Sequence, residues 1–194
     1  MAYYTGLFSK YFPLIQCNIS FIVRYFDTHI HFKYCIIVVR REMTMGLEYK
    51  NILVAIDGSQ EAEWAFKKAM DIAKRHNAKL LLAHVIDTRT FATVEAYDRT
   101  IAERADKFAS ELLENYQKTA VNAGIKDVDY VIEFGSPKIR IPKDIAKKND
   151  CDLIVCGATG LNAVERFFIG SVSEHITRYA PCDVLVIRTD KDQA

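Results

Sequence analysis

Four short apolar runs without alternation limit what this chain can fold into more than any other feature. They are Asn51 to Ile56 (NILVAI), Lys79 to Ile86 (KLLLAHVI), Asp152 to Cys156 (DLIVC) and Asp183 to Ile187 (DVLVI). A strand that is apolar on both faces needs cover on both, which is the condition of a parallel sheet with helices above and below it. In Val128 to Phe134, by contrast, Val128, Tyr130, Ile132 and Phe134 alternate with Asp129 and Glu133. That pattern predicts a half-buried strand at the sheet edge.

Helical patterns separate the runs. Ala62, Ala65, Phe66, Ala69, Met70 and Ala73 recur at three-and-four spacing behind Ser59, a residue suited to capping. Ile101, Ala105, Phe108, Leu112 and Tyr116 predict a second helix, ended by Gly124 in a left-handed cap. Ser136-Pro137 opens a third, and Pro142 inside it is expected to kink or shorten it. Ser171 and Glu174 form a capping-box pattern for the fourth, which Pro181 stops. Strand and helix thus alternate through five strands. The fold class is α/β, a doubly wound five-stranded parallel sheet with helices on both faces. Such sheets bind ligands at the carboxyl ends of strands where the winding reverses. The loops after the first, second and fourth strands are therefore the place to look for function.

Length allows one well-buried domain, with 194 residues in all. The net charge of +1 leaves no electrostatic footprint for nucleic acid. No window is long and apolar enough for a membrane span. The five cysteines have neither zinc-ribbon nor C-x-x-C spacing, and Cys151, Cys156 and Cys182 lie in or beside apolar runs. A reducing cytoplasm accounts for that usage.

Composition changes near residue 45. Residues 1–44 carry a net +3 and 10 of the 22 aromatics, whereas the remainder carries −2. The division is an N-terminal extension, 1–44, and a domain, 45–194. The extension has no secretory pattern. His29 and His31 lack further ligand partners, and Asn18-Ile19-Ser20 matches a sequon that has no meaning in the cytoplasm. Arg40-Arg41-Glu42 can be encoded by a purine run of the kind found at bacterial ribosome-binding sites, with Met45 following at a suitable distance. This favours a start at Met45 or Met43, with the extension disordered or not native.

The chemistry lies in the loop after the fourth strand. Gly157, Gly160 and Gly170 are separated by two and nine residues, and Ser171 and Ser173 follow at a helix start. Glycines let backbone N–H groups approach an anion, and a helix N-terminus adds unpaired donors and the positive end of its dipole. Phosphate holding is the chemistry implied, with Asp57 placed to accept from ribose hydroxyls or to hold a metal ion. Glycine followed by serine is also how helices ordinarily begin, so these residues alone leave both readings open. His84 is read as a hydrogen-bonded structural histidine before a catalytic base, and Cys156 as inert packing. His175 lies within reach of the phosphate end.

The glycine spacing with Ser171, the opening NILVAIDGS and the strand close His84-Val85-Ile86-Asp87 resemble the universal stress protein family, in its ATP-binding branch. The resemblance covers about residues 48 to 188. It implies that Asp57 faces the ribose or adenine, that Val85 contacts adenine through its backbone, and that Gly157 packs near the ribose. Gly160 and Gly170 would admit the phosphates, held by Ser171, Val172 and Ser173. ATP is the implied ligand, with Mg²⁺ brought by the nucleotide and touched by Asp57. The functional expectation is a cytoplasmic, nucleotide-dependent regulator of stress response, with a slow ATPase or phosphotransferase and a nucleotide-stabilised structural dimer as alternatives. Arg166 is the only cation written into the glycine loop, which weighs against phosphoryl transfer. A homodimer is implied through the fifth strand, Val184, Leu185, Val186 and Ile187, read here as an apolar sheet edge.

Overall fold

The computed structural model describes residues 20–26, 34–40, 48–91, 99–161 and 169–188. Seven strands form one sheet: β1 (Ser20–Phe26), β2 (Tyr34–Arg40), β3 (Asn51–Ala55), β4 (Lys79–Ile86), β5 (Val128–Phe134), β6 (Leu153–Gly157) and β7 (Asp183–Arg188). Their order is β1-β2-β7-β6-β3-β4-β5. From β7 to β5 all pairings are parallel, giving the five-stranded sheet the apolar runs predict. β1 and β2 add an antiparallel hairpin to it, with β2 lying along β7. Asn18, His29, His31, Met43, Met45 and Arg166 fall outside the described residues.

Both faces of the central strands are covered. Ile52 and Val54 of β3 pack with Ala65, Phe66, Ala69 and Leu113 on one side; Leu53 and Ile154 pack with Ile141, Ile145 and Ile176 on the other. Phe66 is fully buried, contributes about 1.5–3 kcal/mol, and meets Tyr116 edge-on at 4.7 Å. Helix α1 (Gln60–His76) starts where Ser59 Oγ accepts from Ala62 N–H and stops at Asn77 in the left-handed region. Glu61 and Glu63 in its first turn and Lys74, Arg75 and His76 in its last match its dipole.

Three local expectations need correction. In α2 (Arg99–Asn122) the buried stripe is Ala109, Leu113 and Ala120, with Leu112 and Tyr116 half-buried, while Phe108 is 59% exposed. The stripe is turned by one residue because small Ala109 lets the helix sit close to the sheet. Pro142 does not end the third helix but stands in a π-helical stretch of it. Residues 137–148 continue through α3 (Pro137–Ile139), a π-helical stretch Arg140–Ile145 and α4 (Ala146–Lys148). Ala146 N–H reaches Ile141 O, so the wider turn accommodates the proline that an α-helical interior would reject. The third correction concerns β7, which is not a sheet edge, because β2 occupies its outer side from Val184 to Arg188. The edge at β5 is as expected, though Tyr130 and Phe134 are exposed there. Gly124 has φ +92 and closes α2 as anticipated, with Ile125 N–H on Ala120 O.

Candidate functional site

β3 leaves the sheet at Ala55, and Ile56 N–H makes the last bond across to Ala83 O. The chain then turns through Asp57-Gly58. Asp57 Oδ1 accepts from Ser59 N–H at 2.9 Å and from Ser59 Oγ at 2.6 Å, and Ser59 Oγ in turn accepts from Ala62 N–H. One carboxylate oxygen thereby fixes both the turn and the start of α1. The other, Oδ2, faces Gly160: a Cβ on that glycine would sit 2.6 Å from it.

Beyond β6 the loop is closed at its base. Ala158 N–H donates to Ile187 O and Gly170 N–H to Ala158 O, each at 2.7 Å. Helix α5 (Ser171–Tyr179) starts with Gly170 as its N-cap, whose carbonyl accepts from Glu174 N–H at 2.9 Å. The capping residue is therefore Gly170 and not Ser171, and no side-chain cap bond forms. Ser171 stands at the first helical position with its side chain exposed. The N–H groups of Ser171, Val172 and Ser173 precede the first intrahelical donor, as at any helix start, and open at the carboxyl ends of β3 and β6. Gly170 has φ −62 and ψ 149, a conformation any residue adopts, so its smallness matters through space and not through strain.

Gly157 and Ser173 pack against the fold. A Cβ on Gly157 would lie 2.8 Å from Glu61 Cβ and 2.9 Å from the Glu61 carbonyl carbon. This glycine lets the first turn of α1 rest on β6. Ser173 is buried, and its hydroxyl donates to Gly157 O at 2.6 Å. Both position α5 over the end of β6. Gly160, Gly170 and Asp57, with the first turn of α5, line the crevice where the winding reverses between β6 and β3. Val85 lies on β4 beyond the last β3 pairing, so the β3-facing side of its backbone has no strand beside it. Ser59 is the residue the sequence reading missed as a partner of Asp57. The Asp-x-Ser spacing of an Asx turn is the signal that could have found it.

His84 Nδ1 donates to Ile56 O at 2.8 Å, tying β4 to the end of β3 as a structural histidine does. The His175 ring lies against Tyr179 at 4.3 Å, and burial together with Lys143, Lys138 and Arg178 favours its neutral form. Burial pushes the thiols of Cys151, Cys156 and Cys182 up to about 12. The thiolate is the reactive species, so peptides carrying these three cysteines should stay unmodified when the native protein is treated with iodoacetamide at pH 8. Rapid alkylation of Cys156 would contradict its inert role. Among the described residues, no three His, Cys, Asp or Glu side chains gather as a metal site, and no helix is long and apolar enough to cross a membrane.

Sheet order, loop closure and crevice together define a doubly wound α/β protein with a glycine-lined crevice at the reversal of its winding. Residues 48–188 match the universal stress protein family, and the chain belongs to that family. A Staphylococcus saprophyticus protein named for the same family is 57% identical over 145 residues, 75% of this chain and 87% of that one. Among solved structures, the universal stress protein UspA from Lactobacillus plantarum shares 35% identity at a TM-score of 0.64, over 74% of this chain and 100% of that chain. A universal stress protein solved in complex with cAMP shares the fold, with 24% identity and a TM-score of 0.59 over 74% of this chain and 100% of the other.

Proposed function

We infer that the crevice binds ATP and that the protein is a cytoplasmic, nucleotide-dependent regulator of stress response. The observation that supports this reading is one convergence of groups. The first-turn N–H groups of α5 and the exposed Ser171 hydroxyl supply donors for phosphate. Gly160 lets the loop lie close against Asp57 Oδ2, an oxygen that ribose hydroxyls would donate to. The open edge of Val85 offers backbone groups to adenine. A solved structure of the same fold in complex with cAMP supports the reading.

Binding is favoured over catalysis because phosphoryl transfer depends on positioning and charge neutralisation. The described crevice segments, 57–59, 157–161 and 169–173, contain no Lys or Arg. For Mg²⁺ the fit is narrow: Ser59 bonds to Oδ1 of Asp57, and no group of three His, Cys, Asp or Glu side chains gathers as a metal site among the described residues. A magnesium ion would thus be held by the phosphates, with Asp57 as a single protein contact. The functional unit is taken as residues 45–194, acting as a homodimer that pairs the β7 strands of two copies.

Calorimetry with ATP, and GTP as the specificity control, tests the reading. Asp57→Asn keeps an oxygen for Ser59 and removes the charge, so it should stay folded and lose roughly tenfold in ATP affinity, on the scale of about 1.4 kcal/mol per decade. Asp57→Ala should in addition lower stability, because the Asx turn is lost. Wild-type protein with no ATP affinity below the millimolar range would end the nucleotide reading.

A further inference from the structure

The parallel sheet is complete without β1 and β2. The family match begins at residue 48, and the whole Lactobacillus plantarum chain is covered by 74% of this one. The domain therefore folds on its own in a relative, and the hairpin is an addition to it. That addition lies along β7, with Val39↔Val184, Val38↔Leu185, Ile37↔Val186, Ile36↔Ile187 and Cys35↔Arg188 as paired residues.

Two features of this pairing point the same way. The first is orientation: β2 runs antiparallel to β7, the direction that a second β7 related by a two-fold axis must also take. The second is sequence. Ile36-Ile37-Val38-Val39-Arg40 of β2 matches Val184-Leu185-Val186-Ile187-Arg188 of β7 in residue class at every position, four aliphatic residues and then arginine. Laying the first run over the second turns the observed register into a symmetric one, in which Val184 faces Ile187 and Leu185 faces Val186. A two-fold axis then passes midway between Leu185 and Val186. The hairpin strand occupies the place and direction that the β7 of a second copy would take, in a register that a two-fold pair of β7 strands can also adopt.

We propose that the β1–β2 hairpin is a tethered stand-in for a second copy: it covers the β7 edge in cis and keeps the chain monomeric. A chain lacking residues before Met45 exposes that edge and dimerises through it. The inference rests on the homodimer reading above and adds a control to it. Residues 41–50 join β2 to β3, and a tether of that length holds the strand at an effective concentration in the millimolar range. A free second copy at micromolar concentration cannot displace it.

The test compares three proteins by sedimentation velocity at about 50 µM, a concentration far below the tether's: the 194-residue chain, the chain starting at Met45, and the full chain carrying Ile37→Pro. Proline removes a ladder donor from a strand with a partner on each side, so it releases the hairpin without touching residues 48–188. The expected result is a monomeric full chain and dimers of the other two. Amide exchange at residues 184–187 should be slow at every concentration in the full chain and concentration-dependent in the other two. Dimers of all three proteins would overturn the stand-in role while leaving the homodimer intact. Monomers of all three would remove the homodimer reading and the proposal with it. The Ile37→Pro arm guards against a failure of the shortened chain to fold.

Discussion

Gly170→Val should cost the protein at least a hundredfold in ATP affinity while leaving it folded. The backbone at Gly170 is ordinary, so valine is not excluded by conformation. Its Cβ would lie 3.2 Å from Ala158 O and 3.4 Å from Thr159 Cα, contacts that a shift of a few tenths of an ångström relieves. The branched methyls beyond that Cβ would then stand at the mouth of the α5 N-terminus. Phosphates pushed off the first turn lose charge-assisted hydrogen bonds of about 1.5–3 kcal/mol each. Two such losses give a factor of about a hundred or more, at about 1.4 kcal/mol per decade. Gly170→Ala, with the Cβ alone, should be intermediate. Calorimetry read beside the thermal midpoint separates binding from folding. A folded Gly170→Val protein that binds ATP as tightly as wild type would place the nucleotide elsewhere.

The prediction depends on geometry that was only partly legible in the sequence. The parallel strands were readable because burial on both faces writes a continuous apolar run, and Ile52 to Val54 and Leu153 to Val155 are fully covered. The course of the third helix through Pro142 is not legible, because a proline's effect depends on the width of the turn around it, which no local pattern records. Phe108 was assigned to the core because it fits helical spacing, yet Ala109 faces inward. Periodicity identifies a stripe but tolerates a rotation of one residue when small and large side chains alternate. Cys35 to Val39 is an apolar run with nothing local to name its neighbour, and the match between Ile36–Arg40 and Val184–Arg188 acquires meaning only once the two lie side by side.

The site shows the same division. Glycine spacing located the loop, and Asp57 was placed at a strand end by the turn chemistry around it. What a glycine's missing Cβ makes room for is not written in the spacing. Gly160 makes room beside a carboxylate, Gly170 beside a carbonyl, and Gly157 beside the backbone of α1. The three glycines of one motif thus meet three different neighbours. Ser171 and Ser173 divide likewise: one is exposed at the helix start, and the other is spent on Gly157 O.

That division predicts opposite phenotypes within the motif. At Gly157 a single methyl group already meets Glu61 Cβ at 2.8 Å, the Glu61 carbonyl carbon at 2.9 Å and Ala62 N at 3.2 Å. Two of these are backbone atoms in the first turn of α1, which cannot rotate aside as a side chain could. The turn is held from below by buried Ala62, Ala65 and Phe66, and from its start by Ser59. Gly157→Ala must therefore lift α1 from β6 or distort its cap. Overpacking of this kind costs about 1–3 kcal/mol, and loss of the Ser59 cap adds about 1 kcal/mol. For a domain of this size the thermal midpoint should fall by roughly 4–16 °C, at about 2–4 °C for each kcal/mol. ATP affinity should fall less than in Gly170→Val, because the α5 donors remain in place and only Asp57, linked to the moved turn through Ser59, is disturbed. Thermal melts of Gly157→Ala and Gly170→Ala side by side, each with and without saturating ATP, measure both effects. The expected pattern is a low midpoint that ATP raises for Gly157→Ala, and a near-native midpoint with a weakened ATP response for Gly170→Ala. A Gly157→Ala protein melting within a degree of wild type would mean that α1 does not rest on β6 at this glycine.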